Sequence, residues 1–131
     1  TCFLFRLNYI GMPKVLVDLL QDGRQLKVGL SLRDDIMNLK RKHEFAPNGF
    51  LDLQQYVKEM GIEAQSLQKI YALLFGKKIS KSQRLTNWEA DVLTDRQKGY
   101  AATDAWACVR IYKYIEELKN RKSFRVIDVP L

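Results

Sequence analysis

Lys27-Val-Gly-Leu-Ser-Leu-Arg-Asp-Asp35-Ile-Met-Asn-Leu39 is the stretch on which the fold turns. Its first part, Lys27–Leu32, is β-favouring and reads as a strand. Arg33-Asp34-Asp35 follows and leads into a helix that runs to about Lys42. Upstream, Cys2–Ile10 alternates and is rich in aromatic residues, which predicts an earlier strand. Gly11-Met12-Pro13 is a turn with Pro13 near the first helical position. Val15–Gln21 is a short apolar helix closed by Asp22-Gly23. Strand, helix, strand, helix is the order of an α/β sheet.

Downstream the chain turns helical. Leu51, Leu53, Tyr56, Val57 and Met60 predict a helix over Phe50–Met60, closed by Gly61. Ser66 caps a helix over Leu67–Phe75 that Gly76 closes. From Lys77 to Trp88 the chain carries Lys77, Lys78, Lys81 and Arg84 and no acid. A long helix follows over Thr94–Lys119, and Phe124–Val129 is strand-like again. There is no internal repeat, linker or low-complexity tract.

The long helix holds the most informative anomaly. Its apolar stripe runs through Ala101, Ala105, Cys108, Ile111, Tyr112, Ile115 and Leu118, and Asp104 falls inside that stripe. Tyr100 stands one turn earlier on the same face. A carboxylate facing a core is costly unless it is paired, hydrogen-bonded or bound to a cation. A metal ion, a neighbouring Arg and a backbone amide all remain open from the pentad alone. Thr94 and Gln97 have the spacing of a capping box, and Asp95 sits at the positive end of the helix dipole. Gly99, Ala101, Ala102, Ala105 and Ala107 let the first turns approach another element closely.

Length and charge bound the rest. At 131 residues with 47% hydrophobic content the chain is one domain with an ordinary core. Its 22 Lys and Arg against 15 acids give a net charge of +7, which suggests a polyanionic partner. Cys2 and Cys108 lie too far apart in sequence to suggest a disulfide framework, and Cys108 reads as a small core residue. No run approaches the length of a membrane span and the start does not read as a signal peptide, so a cytoplasmic setting is expected. The chain opens on Thr in a strand-like run, which suggests a fragment of something longer.

Asp34-Asp35 lies just beyond the carboxyl end of a predicted strand, where open α/β sheets place ligand crevices. Asp is also a preferred helix N-cap, so either residue could serve only that purpose. With Asp104 and Tyr100, a second acid there makes a plausible site for a hard divalent cation.

Three ordered segments carry a family resemblance. Lys27–Leu39 resembles a strand ending in Gly-x-x-x-x-x-Asp before a helix, with Asp35 as the motif acid and Asp34 in a variable slot. Ser66-Leu-Gln-Lys through Lys81 and Thr86-Asn-Trp88 resembles an SLxxL … K … SNW segment. Leu93-Thr94 to Gln97 and then Tyr100–Asp104 matches Tyr-x-x-x-Asp. In this order they resemble the 3′–5′ exonuclease domains of the DEDD superfamily, in the Tyr-containing branch of ribonuclease D and the Werner-syndrome exonuclease.

The resemblance implies a ribonuclease H-like α/β fold, helix-rich with a small mixed sheet. It implies hydrolysis of phosphodiesters at the 3′ end of DNA or RNA by a two-metal mechanism, with Mg²⁺ or Mn²⁺ ions about 3.5–4 Å apart. Asp35 and Asp104 would be metal ligands, and the Tyr100 hydroxyl would position the attacking water. Lys78, Lys81 and Arg84 are the expected phosphate contacts. The family's first motif, Asp-x-Glu on the first strand, does not occur before Asp35. By that comparison the chain is the C-terminal portion of the domain, begins at the third strand and is N-terminally truncated. Its four-acid site is incomplete, and no well-ordered metal pair is expected between Asp35 and Asp104.

Edges left open on Cys2–Ile10 and Lys27–Leu32 would be covered in one of three ways: by Phe124–Val129, by direct pairing of the two strands, or by a second copy of the chain in a homodimer. The alternative reading is a non-catalytic nucleic-acid-binding or scaffold module on a degenerate exonuclease fold. Lys40-Arg-Lys-His43 reads as a solvated face and His43 as an ordinary surface residue. Asp52, at the start of a helix, is read as structural. Trp88 suits packing, while Trp106 is open between packing and base stacking.

Overall fold

The computed structural model describes residues 1–121, so the strand expected over Phe124–Val129 lies outside the described residues. In chain order the elements are α1 (Leu7–Ile10), α2 (Lys14–Gln21), β1 (Lys27–Gly29), α3 (Leu32–Lys42) and β2 (Phe50–Asp52). Then come α4 (Leu53–Lys58), α5 (Leu67–Phe75) and α6 (Asp95–Arg121). β1 and β2 pair in parallel, with Lys27 opposite Phe50, Val28 opposite Leu51 and Gly29 opposite Asp52. Parallel neighbours need a crossover connection, and α3 supplies it.

Two segments differ from their sequence reading. Phe50–Asp52, expected inside a helix, is the strand β2, and the helix begins only at Leu53. The apolar residues there fit either period, and the β1 edge alongside decides the outcome. Cys2–Ile10, expected as a strand, has no regular structure through Arg6 and ends in the single helical turn α1. A strand needs a ladder, and among the described residues no strand pairs with it. The Arg6 side chain fixes the segment by donating to the carbonyls of Trp88, Ala90 and Asp91 at 3.1, 2.6 and 3.0 Å. Direct pairing of the first two strands, one of the three covers expected for their edges, is absent among the described residues, and β1 pairs with β2 instead.

The core forms where α4, α5 and α6 meet under the sheet. Leu53, Val57, Ile70, Ile111 and Ile115 are fully buried, and Val28, Leu30 and Leu51 pack on them from the strands. α6 packs against both α5 and β1 and, at about 1.5 Å per residue, spans roughly 40 Å. Its buried residues Cys108, Ile111 and Ile115 follow the predicted stripe, whereas Ala105 is exposed. Gly49 is obligatory at the entrance to β2. Its φ of +73° suits glycine, and a Cβ there would lie 2.9 Å from the Gln25 carbonyl oxygen.

Candidate active site

Asp52 assembles the near wall of the site. Its carboxylate caps α4 by accepting from the Gln54 amide at 3.0 Å. The same group accepts from the amides of Ser31 and Leu32 at 3.1 and 3.0 Å, so it also satisfies the N-terminus of α3. Ser31 makes no side-chain cap of its own and takes a left-handed conformation, φ +55°, which Asp52 stabilises. The turn holds Asp34 and Asp35 in the first turn of α3, just past the carboxyl end of β1. Sequence reasoning finds Asp52 as a structural acid but not this bridge between two helices, because the Ser31 amide is distant in sequence.

The far wall is the start of α6. Thr94 and Gln97 form the expected capping box: the Gln97 amide donates to Thr94 Oγ1 at 3.1 Å and Gln97 Oε1 accepts from the Thr94 amide at 2.9 Å. Gln97 is buried, and its Nε2 also donates to Thr86 Oγ1 and the Asn87 carbonyl, both at 3.0 Å. The Trp88 ring packs 6.1 Å from the Tyr100 ring, centroid to centroid, and its indole donates to the Gln83 and Arg84 carbonyls. The half-buried Trp88 is thus a packing residue, as expected.

Between these walls opens a cleft of about 460 Å³. Asp35, Tyr100, Asp104, Lys81 and Arg84 all line it, together with Gly29 of β1. Lys78 is exposed but is not among the lining residues. Lys40 pairs with Glu44 at 3.5 Å and His43 is exposed at the end of α3, consistent with a solvated face.

The electrostatics of the cleft are those of carboxylates short of counter-charge. Asp104 Oδ1 is buried and has no hydrogen-bond partner. Burial pushes the Asp104 carboxyl above its ordinary range, and a polar interaction with the Tyr100 hydroxyl only partly offsets this. Asp35 is also raised, first by desolvation and then by the negative charges of Asp34 and Asp52. Burial and the nearby Asp104 raise Tyr100, which keeps its hydroxyl protonated at neutral pH. Burial lifts Cys108, on the cleft floor, to about 11, so it stays a thiol and packs as a core residue.

No described helix is long and apolar enough to cross a membrane. A family model described as 3′–5′ exonuclease matches residues 6–119. The Drosophila melanogaster exonuclease 3′-5′ domain-containing protein 2 is 34% identical over 115 residues, covering 86% of this chain and 20% of that protein. The mouse bifunctional 3′-5′ exonuclease/ATP-dependent helicase WRN is 32% identical over 122 residues, covering 89% of this chain and 9% of that protein. Among solved structures, Brucella melitensis NrnC superposes with a TM-score of 0.72 at 27% identity, covering 87% of this chain and 57% of that one; NrnC has also been solved bound to pGG. The chain thus spans a fifth or less of the two full-length relatives and little more than half of the solved one. It has the ribonuclease H-like α/β fold of those domains and belongs to the 3′–5′ exonuclease family of the DEDD superfamily.

Proposed function

We propose that the cleft between α3 and α6 removes nucleotides from the 3′ end of a nucleic acid, with Asp35 and Asp104 as ligands for Mg²⁺ or Mn²⁺. The observation that carries this reading is the buried, unpartnered Asp104 Oδ1 facing a cleft that Asp35, Tyr100, Lys81 and Arg84 share. The donor set suits a hard cation, which takes carboxylate oxygens and would restore the charge balance that burial denies these acids. When bound, such an ion supplies the charge that favours hydroxide over water and offsets negative charge on the leaving 3′ oxygen.

The chain's own residues do the positioning. Tyr100, held against Trp88, keeps its proton and can both accept from an attacking water and donate to it or to a phosphate oxygen. Lys81 and Arg84 bring positive charge to the same wall, where the scissile phosphate would lie. Gly29 lines the same wall, where the Leu32 side chain fills the space that a Cβ would take. The binding of pGG by the related NrnC supports a short 3′ end as the occupant.

A second reading has its own observation. Among the described residues no three His, Cys, Asp or Glu side chains gather, and two carboxylates hold Mg²⁺ weakly. A nucleic-acid-binding module without hydrolysis fits that count, and the family's Asp-x-Glu acids are what a working site would add. The deciding experiment uses the natural full-length protein with a 5′-labelled single strand and Mn²⁺. Shortening from the 3′ end that Asp104→Ala and Asp35→Asn abolish, with both variants folded, is the expected result. Full activity in both variants would remove these residues from the site.

A further inference from the structure

The face of α6 opposite Asp104 carries an arrangement that the cleft does not use. At about 100° per residue, Trp106, Arg110 and Lys113 project away from Tyr100 and Asp104. Trp106 is 53% exposed and Val109 beside it 44% exposed. These groups are nonetheless held in place. The Arg110 guanidinium lies 4.4 Å from the centre of the Phe75 ring and 5.5 Å from that of Trp106. The buried Tyr71 packs 4.7 Å from Phe75 and 6.0 Å from Trp106, and Tyr114 closes the row 5.0 Å from Phe75.

A cleft of about 470 Å³ opens across this row, with Lys113 on its wall. Among the described residues Glu117 is the one acid lining it, and Arg121 pairs with that carboxylate at 2.5 Å. The surface is therefore aromatic and cationic with its single acid already neutralised. A second copy of the chain docking face to face would set like charges together, since a two-fold contact presents each patch to itself. The chain as a whole carries +7. Flat π-faces beside two cations that pair with no acid among the described residues match an unpaired base with its phosphate.

We infer that the Trp106–Arg110–Lys113 face of α6 is a second binding site for single-stranded nucleic acid. Trp106 stacks a base, Arg110 braces the ring and contacts phosphate, and Lys113 neutralises the next phosphate. A strand whose 3′ end sits in the Asp35–Asp104 cleft would be gripped on the far side of the same helix. The site does not depend on hydrolysis, because a catalytically silent chain would bind there equally.

The test uses the full 131-residue chain, a single strand of about 16 nucleotides and, separately, a dinucleotide. In a Trp88→Phe background, Trp106 is the remaining tryptophan and its emission reports stacking. Saturable quenching by the strand is expected. Trp106→Ala should weaken strand binding about tenfold and leave dinucleotide binding unchanged. Arg110→Ala with Lys113→Ala should flatten the dependence of log K on log salt by about 1.4 units, ~0.7 for each of two phosphate contacts on a single strand. Arg110→Glu leaves the aromatic row in place and should also weaken the strand about tenfold or more, which keeps the test decisive if Trp106→Ala unfolds. Unchanged Trp106 emission at saturation, or unchanged strand affinity in Arg110→Glu, would overturn the site. A change of oligomeric state in Trp106→Ala with unaltered strand binding would overturn it in favour of a protein contact.

Discussion

At the scale of single residues, Asp104 is a carboxylate kept where a neutral group would be more stable. Its folded-state pKa is raised, so the folded chain holds the proton more tightly than the unfolded chain does. That contribution is fully present below the ordinary carboxylate value of 3.8 and is lost as pH rises through the elevated folded value. Asp35 acts with the same sign. In chelator-treated buffer, the urea midpoint of the wild type should fall relative to that of Asp104→Asn as pH rises above 3.8. At neutral pH Asp104→Asn should be the more stable chain, by on the order of 1 kcal/mol, while the proposed hydrolysis at a 3′ end is lost. Substitution of Asp52 has the opposite effect on stability. Three amides depend on its carboxylate, so Asp52→Ala should lower stability by about 2–3 kcal/mol, read from the denaturant midpoint. Asp104 was legible in the sequence because a charge inside an apolar stripe stands out from its neighbours. The reach of Asp52 to Ser31 and Leu32 was not, since it depends on the β1–β2 register.

At the scale of elements, what could be read depended on whether the deciding groups lie close in sequence. α5 begins at Ser66 and ends at Gly76 as read, because both caps act within one turn: Ser66 Oγ accepts from the Lys69 amide and Gly76 takes the left-handed conformation. The Thr94–Gln97 box is equally local. β2 and the segment before α1 were misread because strand formation depends on a neighbour supplied from elsewhere in the chain. The basic loop was half legible: Lys81 and Arg84 reach the cleft and Lys78 does not, since the path of an irregular loop has no periodicity to read. Gln97 joins that loop to α6 through a buried amide. Gln97→Ala should therefore lower stability by about 2 kcal/mol and speed amide exchange around Thr86–Trp88, measured by hydrogen exchange.

At the scale of the whole molecule, a parallel strand pair, two capped helix starts and one long helix bring a pair of carboxylates, a tyrosine and two cations to one cleft. In the proposed function, charge holds this assembly to a polyanion. Replacing Lys78, Lys81 and Arg84 with Ala should weaken nucleic-acid binding across all sequences and flatten its salt dependence by about one unit per lost phosphate contact. Since Lys78 lies off the cleft, Lys81 and Arg84 should account for most of the change at a short 3′ end. In the function proposed above, the buried, unpartnered Asp104 carboxylate takes up a divalent cation together with Asp35. The most direct measurement is a Mn²⁺ titration of the 131-residue chain, following the free-ion signal by electron paramagnetic resonance. Weak, saturable binding that Asp35→Asn and Asp104→Asn each abolish is expected; titrations of both variants that superimpose on the wild type would contradict a cation held by these two carboxylates.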